Sequence, residues 1–133
     1  NSIMAKKPSR KTIVKKLDTV FSQFIRRRFA VNEIAECVTC GTKSHYKKLQ
    51  AGHFISRKHY STRWDETNVQ VQCYSCNVMR YGEQYKYGLY LEQAYKKGIA
   101  EQLLNKSRQI TKFSDNELIT LIEHYNKLLT NLK

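Results

Sequence analysis

Ile13, Leu17, Val20, Phe21, Phe24 and Ile25 recur every three or four residues, which predicts an amphipathic helix over residues 11–29. Arg26, Arg27 and Arg28 fall in its last turn, where cations suit the negative end of the helix dipole. Further on the period changes. Leu49, Ala51, Phe54 and Ile55, then Val69 and Val71, read as short strands over 49–55 and 67–72, with a turn-like stretch from Ser56 to Asp65 between them. A helix is expected from near Cys76 to about Lys97, stopped by Gly98, with Tyr81, Tyr85 and Leu89 on one inward face. A short helix over 99–107 turns Ile99, Leu103 and Leu104 inward.

The last helix announces its own start. Ser114 is the N-cap, Glu117 completes a capping box, and Phe113 can staple onto Leu118. Leu118, Leu121, Ile122, Tyr125, Leu128, Leu129 and Leu132 form its apolar stripe, which serves either the first helix or a second copy of the chain. The pattern predicts a mostly helical α+β fold. The 133 residues fit one domain: a basic N-terminal helix region (8–36), a core (37–97) and C-terminal helices (98–133). Asn1-Ser2-Ile3 before Met4 reads as a vector remnant.

Charge narrows the partner. The net charge is +13, and it is uneven. Residues 1–36 hold nine basic and three acidic side chains, residues 37–82 seven and two, and residues 83–133 eight and six. A polyanion is therefore expected at the first two thirds, DNA or RNA ahead of an anionic membrane surface. No apolar run approaches the ~18–20 residues of a membrane span, and no signal-peptide stretch opens the chain. A cytoplasmic protein with no membrane partner is the expectation.

The four cysteines form two C-x2-C pairs, Cys37 with Cys40 and Cys73 with Cys76. Each pair makes a knuckle that presents two thiolates to one tetrahedral ion, and Gly41 suits the left-handed turn that closes the first. Four thiolates leave no open coordination position, so a Zn2+ here is structural. Between and after the knuckles lie a strand-borne His53, Asn68 ahead of the second knuckle, and Asn77 directly after Cys76. A ββα-metal nuclease needs those parts: a His that takes a proton from water, an Asn that ties the strands and orients it, and a polar ligand for a divalent ion at the scissile phosphate.

The runs CVTCGT and LQAGHFISRKHYSTRWDETNVQVQCYSCNVMRYGEQYKYGLYL resemble the phage NinG/Rap recombination endonucleases. PSRKTIVKKLDTVFSQFIRRR and FSDNELITLIEHYNKLL resemble the flanking helices of that family. The wider relatives are HNH nucleases and junction resolvases of the endonuclease VII type. The resemblance implies a ββα-metal, HNH-like, treble-clef core. It also implies a Mg2+- or Mn2+-dependent endonuclease that cuts branched DNA, such as Holliday junctions and D-loops, inside a bacterial host. His53 takes the general-base position, Asn68 the central Asn and Asn77 the ligand of the catalytic ion. The wider relatives carry Asp directly before the base, where this chain has Gly52. Asp65 and Glu66 are the nearest replacement ligands, with Glu83 a more distant one. Arg57, Lys58, His59, Arg63 and Arg80, together with Arg26, Arg27 and Arg28, are expected to hold phosphates. Symmetric cuts in a four-way junction call for a homodimer. The alternatives are an HNH nuclease for nicking, restriction or packaging of linear DNA, and a non-catalytic zinc-ribbon nucleic-acid-binding module.

Overall fold

The computed structural model describes residues 8–132. The expected vector remnant at residues 1–3 lies outside them. The chain is α+β and about half helical, with two small sheets. Helix α1 (Arg10–Arg27) begins at Ser9, whose side chain accepts from the Thr12 amide. It buries Ile13, Val14, Leu17, Val20, Phe21, Phe24 and Ile25.

Strands β1 (Ile34–Glu36) and β2 (Lys43–His45) pair antiparallel. The turn joining them carries Cys37 and Cys40. This hairpin escapes the periodicity because each strand is only three residues long. Strands β3 (Gln50–His53) and β4 (Val69–Gln72) pair antiparallel, Gln50 opposite Gln72, Gly52 opposite Gln70 and His53 opposite Val69. The stretch between them is not only a turn, because Tyr60–Arg63 forms a single helical turn, α2.

The expected long helix after the second knuckle is broken. Ser75–Met79 winds as a wide π-type turn, and α3 (Gln84–Ala94) starts afresh. Tyr81, Gly82 and Glu83 between them all have positive φ, and such residues cannot propagate a right-handed helix. The break resets the helical phase. Tyr81, Tyr85 and Leu89 therefore end up 88%, 80% and 53% exposed, while Tyr87 and Leu91 face inward. Helix α4 (Ile99–Ser107) buries Ile99 and Leu103 but leaves Leu104 partly in solvent.

Helix α5 (Asp115–Asn131) begins with the expected capping box of Ser114 and Glu117. It lies along α1, so its apolar stripe serves the first helix. Tyr125 packs edge-on to Phe21, ring centroids 4.9 Å apart, and also meets Phe24. The main core joins α1, α5, β3, β4 and Trp64, and a smaller cluster gathers Tyr87, Leu91, Ile99 and Leu103. No helix among the described residues is long and apolar enough to cross a membrane.

Candidate metal centre and the His53 site

The two knuckles meet. All four cysteine sulfurs lie within 4.8 Å of one another, and none is in a disulfide. The first knuckle is shaped by Gly41, at φ 81°, whose N–H donates to the Cys37 carbonyl. The Val38 N–H donates to the Val71 carbonyl and so fixes this knuckle to β4. In the second, the Cys76 N–H points at the Cys73 sulfur (3.4 Å) and the Asn77 N–H donates to the Cys73 carbonyl (2.9 Å). Burial resists charge on Cys37, but hydrogen bonds to Thr39 and nearby backbone amides bring its thiol down to about 6. Burial pushes Cys76 up to about 12. Four sulfurs at this spacing, with only some of them readily ionised, fit a Zn2+ that would stabilise all four as thiolates. Among the described residues they are the one group of three or more Cys, His, Asp or Glu side chains close enough to share an ion.

His53 ends strand β3. Its Nε2 lies 2.9 Å from the Arg63 carbonyl, which can only accept, so this nitrogen carries the proton and Nδ1 the lone pair. Nδ1 has no protein partner among the described residues. Burial is the main force lowering the His53 pKa below its ordinary value. The Arg63 carbonyl opposes that shift, the charge of Arg57 adds to it, and Asp18 opposes it.

Asn68 is fully buried and does not face solvent. Its Oδ1 accepts from the Ile55 N–H (2.8 Å), and its Nδ2 donates to the Ile55 (3.1 Å) and Thr62 (3.0 Å) carbonyls. It thereby closes the loop that runs from β3 to α2, and the far end of that loop is the Arg63 carbonyl on which His53 rests. Asn77 sits in the π-type turn and donates from Nδ2 to Gln50 Oε1 (2.7 Å). No hydrogen bond among the described residues joins His53 to Asn77. The ring is held through α2 and the amide through β3.

Gly52 has a local cause. A Cβ there would stand 1.9 Å from Gln72 Oε1, so the neighbouring glutamine fills the space that a side chain would need. Gln72 is fully buried, and its Nε2 donates to the Gly82 carbonyl (2.9 Å) and Thr39 Oγ1 (3.2 Å). Its Oε1 is buried without a partner.

The expected carboxylate ligands are employed elsewhere. Asp65 Oδ1 accepts from the Thr67 and Asn68 amides, and its Oδ2 pairs with Lys106 at 2.6 Å. Glu66 accepts from the Tyr125 hydroxyl (2.9 Å) and stands 3.7 Å from Arg28. Glu83 lies between Arg80 and Lys86.

The basic residues divide in two. Arg57, Lys58 and Arg80 are exposed, and Arg80 is 3.6 Å from Glu83. His59 is half-buried at the start of α2, and Arg27 lies over the Tyr46 ring. Three expected phosphate ligands are instead structural. Arg28 donates to the Glu66 and Val69 carbonyls and to Gln70 Oε1, and its side chain is almost wholly covered. Arg63 pairs with Asp18, donates to the Arg57 carbonyl and lies against Tyr60 and Trp64. Arg26 donates to the Ser22 and Tyr46 carbonyls. Counting charges along the sequence cannot tell a guanidinium that bonds backbone carbonyls from one left to solvent.

Asp18 was the overlooked residue. It accepts from Arg63 Nε and Trp64 Nε1, both at 3.0 Å, and so anchors the residue whose carbonyl holds His53. Its signal was available, since Asp18 is the one acidic side chain in the first 32 residues.

Neither a curated protein nor a solved structure matches the chain. The sequence model of the family described as "Bacteriophage Lambda NinG protein" matches residues 3–133, nearly the whole length, and the chain therefore belongs to the NinG family of phage recombination proteins.

Proposed function

We propose that this protein is a metal-dependent, structure-specific endonuclease that hydrolyses phosphodiesters in branched DNA such as Holliday junctions and D-loops. The observation that carries the proposal is His53. Its ring is fixed by one nitrogen to a backbone carbonyl, its other nitrogen has no partner among the described residues, and burial keeps it neutral near pH 7. Those are the requirements for a general base acting on water. The ring stands on a hairpin braced by the cysteine cluster, in a chain whose excess charge of +13 favours a polyanion.

His53 Nδ1 takes the proton from the attacking water, while the Arg63 carbonyl keeps the ring from turning and stabilises the imidazolium that forms. Asn68 acts at one remove by holding the loop that carries that carbonyl. Arg57, Lys58 and Arg80 grip the flanking phosphates. A bound Mg2+ or Mn2+ would supply charge neutralisation at the scissile phosphate. Asn77 offers an amide oxygen to it, and the rest of its shell would come from phosphate oxygens and water, because Asp65 and Glu66 are already engaged. The core is read as ββα-metal and HNH-like, and two symmetric cuts in a junction call for a homodimer.

The test compares a four-way junction with linear duplex of the same sequence, in Mg2+ or Mn2+. Faster cutting of the junction, with 5′-phosphate ends, is expected. His53→Ala should lower the rate ~10²–10⁴-fold while DNA binding persists. A variant that cuts at the wild-type rate overturns the assignment of the base. The absence of a carboxylate at Gly52 favours a second reading, a zinc-ribbon DNA-binding module without catalysis. Tight binding with no cleavage of any substrate would establish it.

A further inference from the structure

The turn between the second knuckle and α3 has an unusual shape and an unusual tip. Tyr81, Gly82 and Glu83 are consecutive left-handed residues, and Tyr81 and Glu83 adopt that conformation at φ 54° and 47° without being glycine. A bulky residue there is strained, and Asn or Gly would hold the same backbone more easily. The Tyr81 ring is nonetheless displayed at 88% exposure, with Met79 and Tyr85 also exposed on either side of it in sequence. Among the described residues, neither tyrosine ring pairs with another aromatic ring.

The turn beneath the ring is tightly fastened. The Gly82 N–H donates to the Cys76 carbonyl (2.8 Å), the Gly82 carbonyl accepts from the buried Gln72 Nε2 (2.9 Å), and the Arg80 N–H donates to the Ser75 carbonyl (2.9 Å). Arg80 and Lys86 flank it with exposed cations, and Glu83 sits between them. An outward-facing ring on a fastened turn, with Arg80 and Lys86 near it in sequence on a strongly basic chain, matches the chemistry of an unstacked nucleobase next to phosphates.

Building on the DNA reading above, we propose that Tyr81 is a stacking platform for an unpaired or unstacked base at a DNA branch, and so a specificity-determining residue. Fully paired duplex offers no free base face, so the platform distinguishes branched from linear DNA by shape and not by sequence. The same stretch carries Asn77, four residues earlier, so a base seated on Tyr81 would set the distance from the branch to Asn77.

The test uses zinc-loaded full-length protein in EDTA-free buffer with Ca2+, so that binding is read without turnover. The probes are a four-way junction and a single-base bulge carrying 2-aminopurine at the branch, with a fully paired duplex as reference. Tyr81→Asn keeps the left-handed backbone and removes the ring, and Tyr81→Phe keeps the ring. Wild type and Tyr81→Phe should quench 2-aminopurine and prefer branched DNA. Tyr81→Asn should lose the quenching and weaken branched binding roughly 5- to 150-fold, with duplex binding unchanged. Equal loss on branched and linear DNA, or no loss on either, overturns the platform. A change in oligomeric state with DNA preference intact also overturns it and makes the patch a protein contact. If the platform behaves as expected but no substrate is cut in Mg2+ or Mn2+, the nuclease reading falls and the platform stands. If wild type binds no DNA, both fall.

Discussion

Putting a methyl group on Gly52 tests whether the neighbouring strand really occupies the space of the missing acid. The added Cβ would lie 1.9 Å from Gln72 Oε1 and 2.8 Å from its Cδ, far inside van der Waals contact. Gln72 cannot simply swing away, because its Nε2 is bonded to Gly82 and Thr39. Gly52→Ala should therefore cost about 1–3 kcal/mol, the range for overpacking a filled site. Gln72→Ala should cost a similar ~1–3 kcal/mol, because the buried Gly82 carbonyl loses its donor. Removing the partnerless Oε1 offsets part of that. The double variant restores the fit, since the new methyl enters space that the glutamine vacates. Its cost should fall below the sum of the singles by at least about 1 kcal/mol. Urea unfolding of the zinc-loaded proteins measures all four corners of the cycle. Additivity within about 0.5 kcal/mol would refute the account of Gly52 as a residue displaced by Gln72.

Zinc loading should release protons, because Cys76 and Cys73 are protonated at neutral pH without an ion. Zinc affinity should then fall as pH is lowered, as titration with a chromogenic chelator would report. Cleavage should rise with pH as His53 loses its proton, with the midpoint of the rise below the ordinary histidine value of about 6.5, because burial lowers its pKa. Asp18→Asn removes a carboxylate that favours the imidazolium, so the rise should move to still lower pH. A pH–rate profile unmoved by that change would disconnect Asp18 from the base. The same shift bears on stability. The folded pKa lies below the unfolded one, so the contribution of His53 is complete above about pH 6.5 and is lost as pH falls through the folded value. Arg57→Ala should flatten the salt dependence of DNA binding by about one unit in slope, and an unchanged slope would remove Arg57 from the phosphate grip.

The helices at both ends were legible because their apolar residues repeat over four or five turns. Ser114 marked the start of the last one, whereas the Ser9 cap of α1 came only with the structure. The cysteine cluster was legible from spacing alone. The middle of the chain was not, for two physical reasons. Strands of three residues carry too few alternations to register, and the left-handed run at Tyr81–Glu83 resets a helical phase that side-chain pattern alone would continue. At the site, the sequence singled out His53, Asn68 and Asn77 but not their supports. Gln72 and Asp18 act through contacts 20 or more residues away, Gln72 reaching across to Thr39 and Asp18 to Arg63 and Trp64. Arg28 and Arg63 look like DNA ligands until the carbonyls and carboxylate they bond are known.

The pairing of α1 with α5 has a consequence for how the chain is made. Helix α1 leaves the ribosome before the other described elements, and its cover is the last of them, with about 90 residues between the two. At ~5–20 residues per second the apolar stripe of α1 waits roughly 4–18 s for α5. The hairpins and cysteine knuckles can assemble in that interval, but the main core closes only after Tyr125 arrives over Phe21 and Phe24. Closure of the main core thus waits on the synthesis of α5, and a polypeptide interrupted before it would expose seven buried apolar side chains of α1 to whatever surrounds the nascent chain.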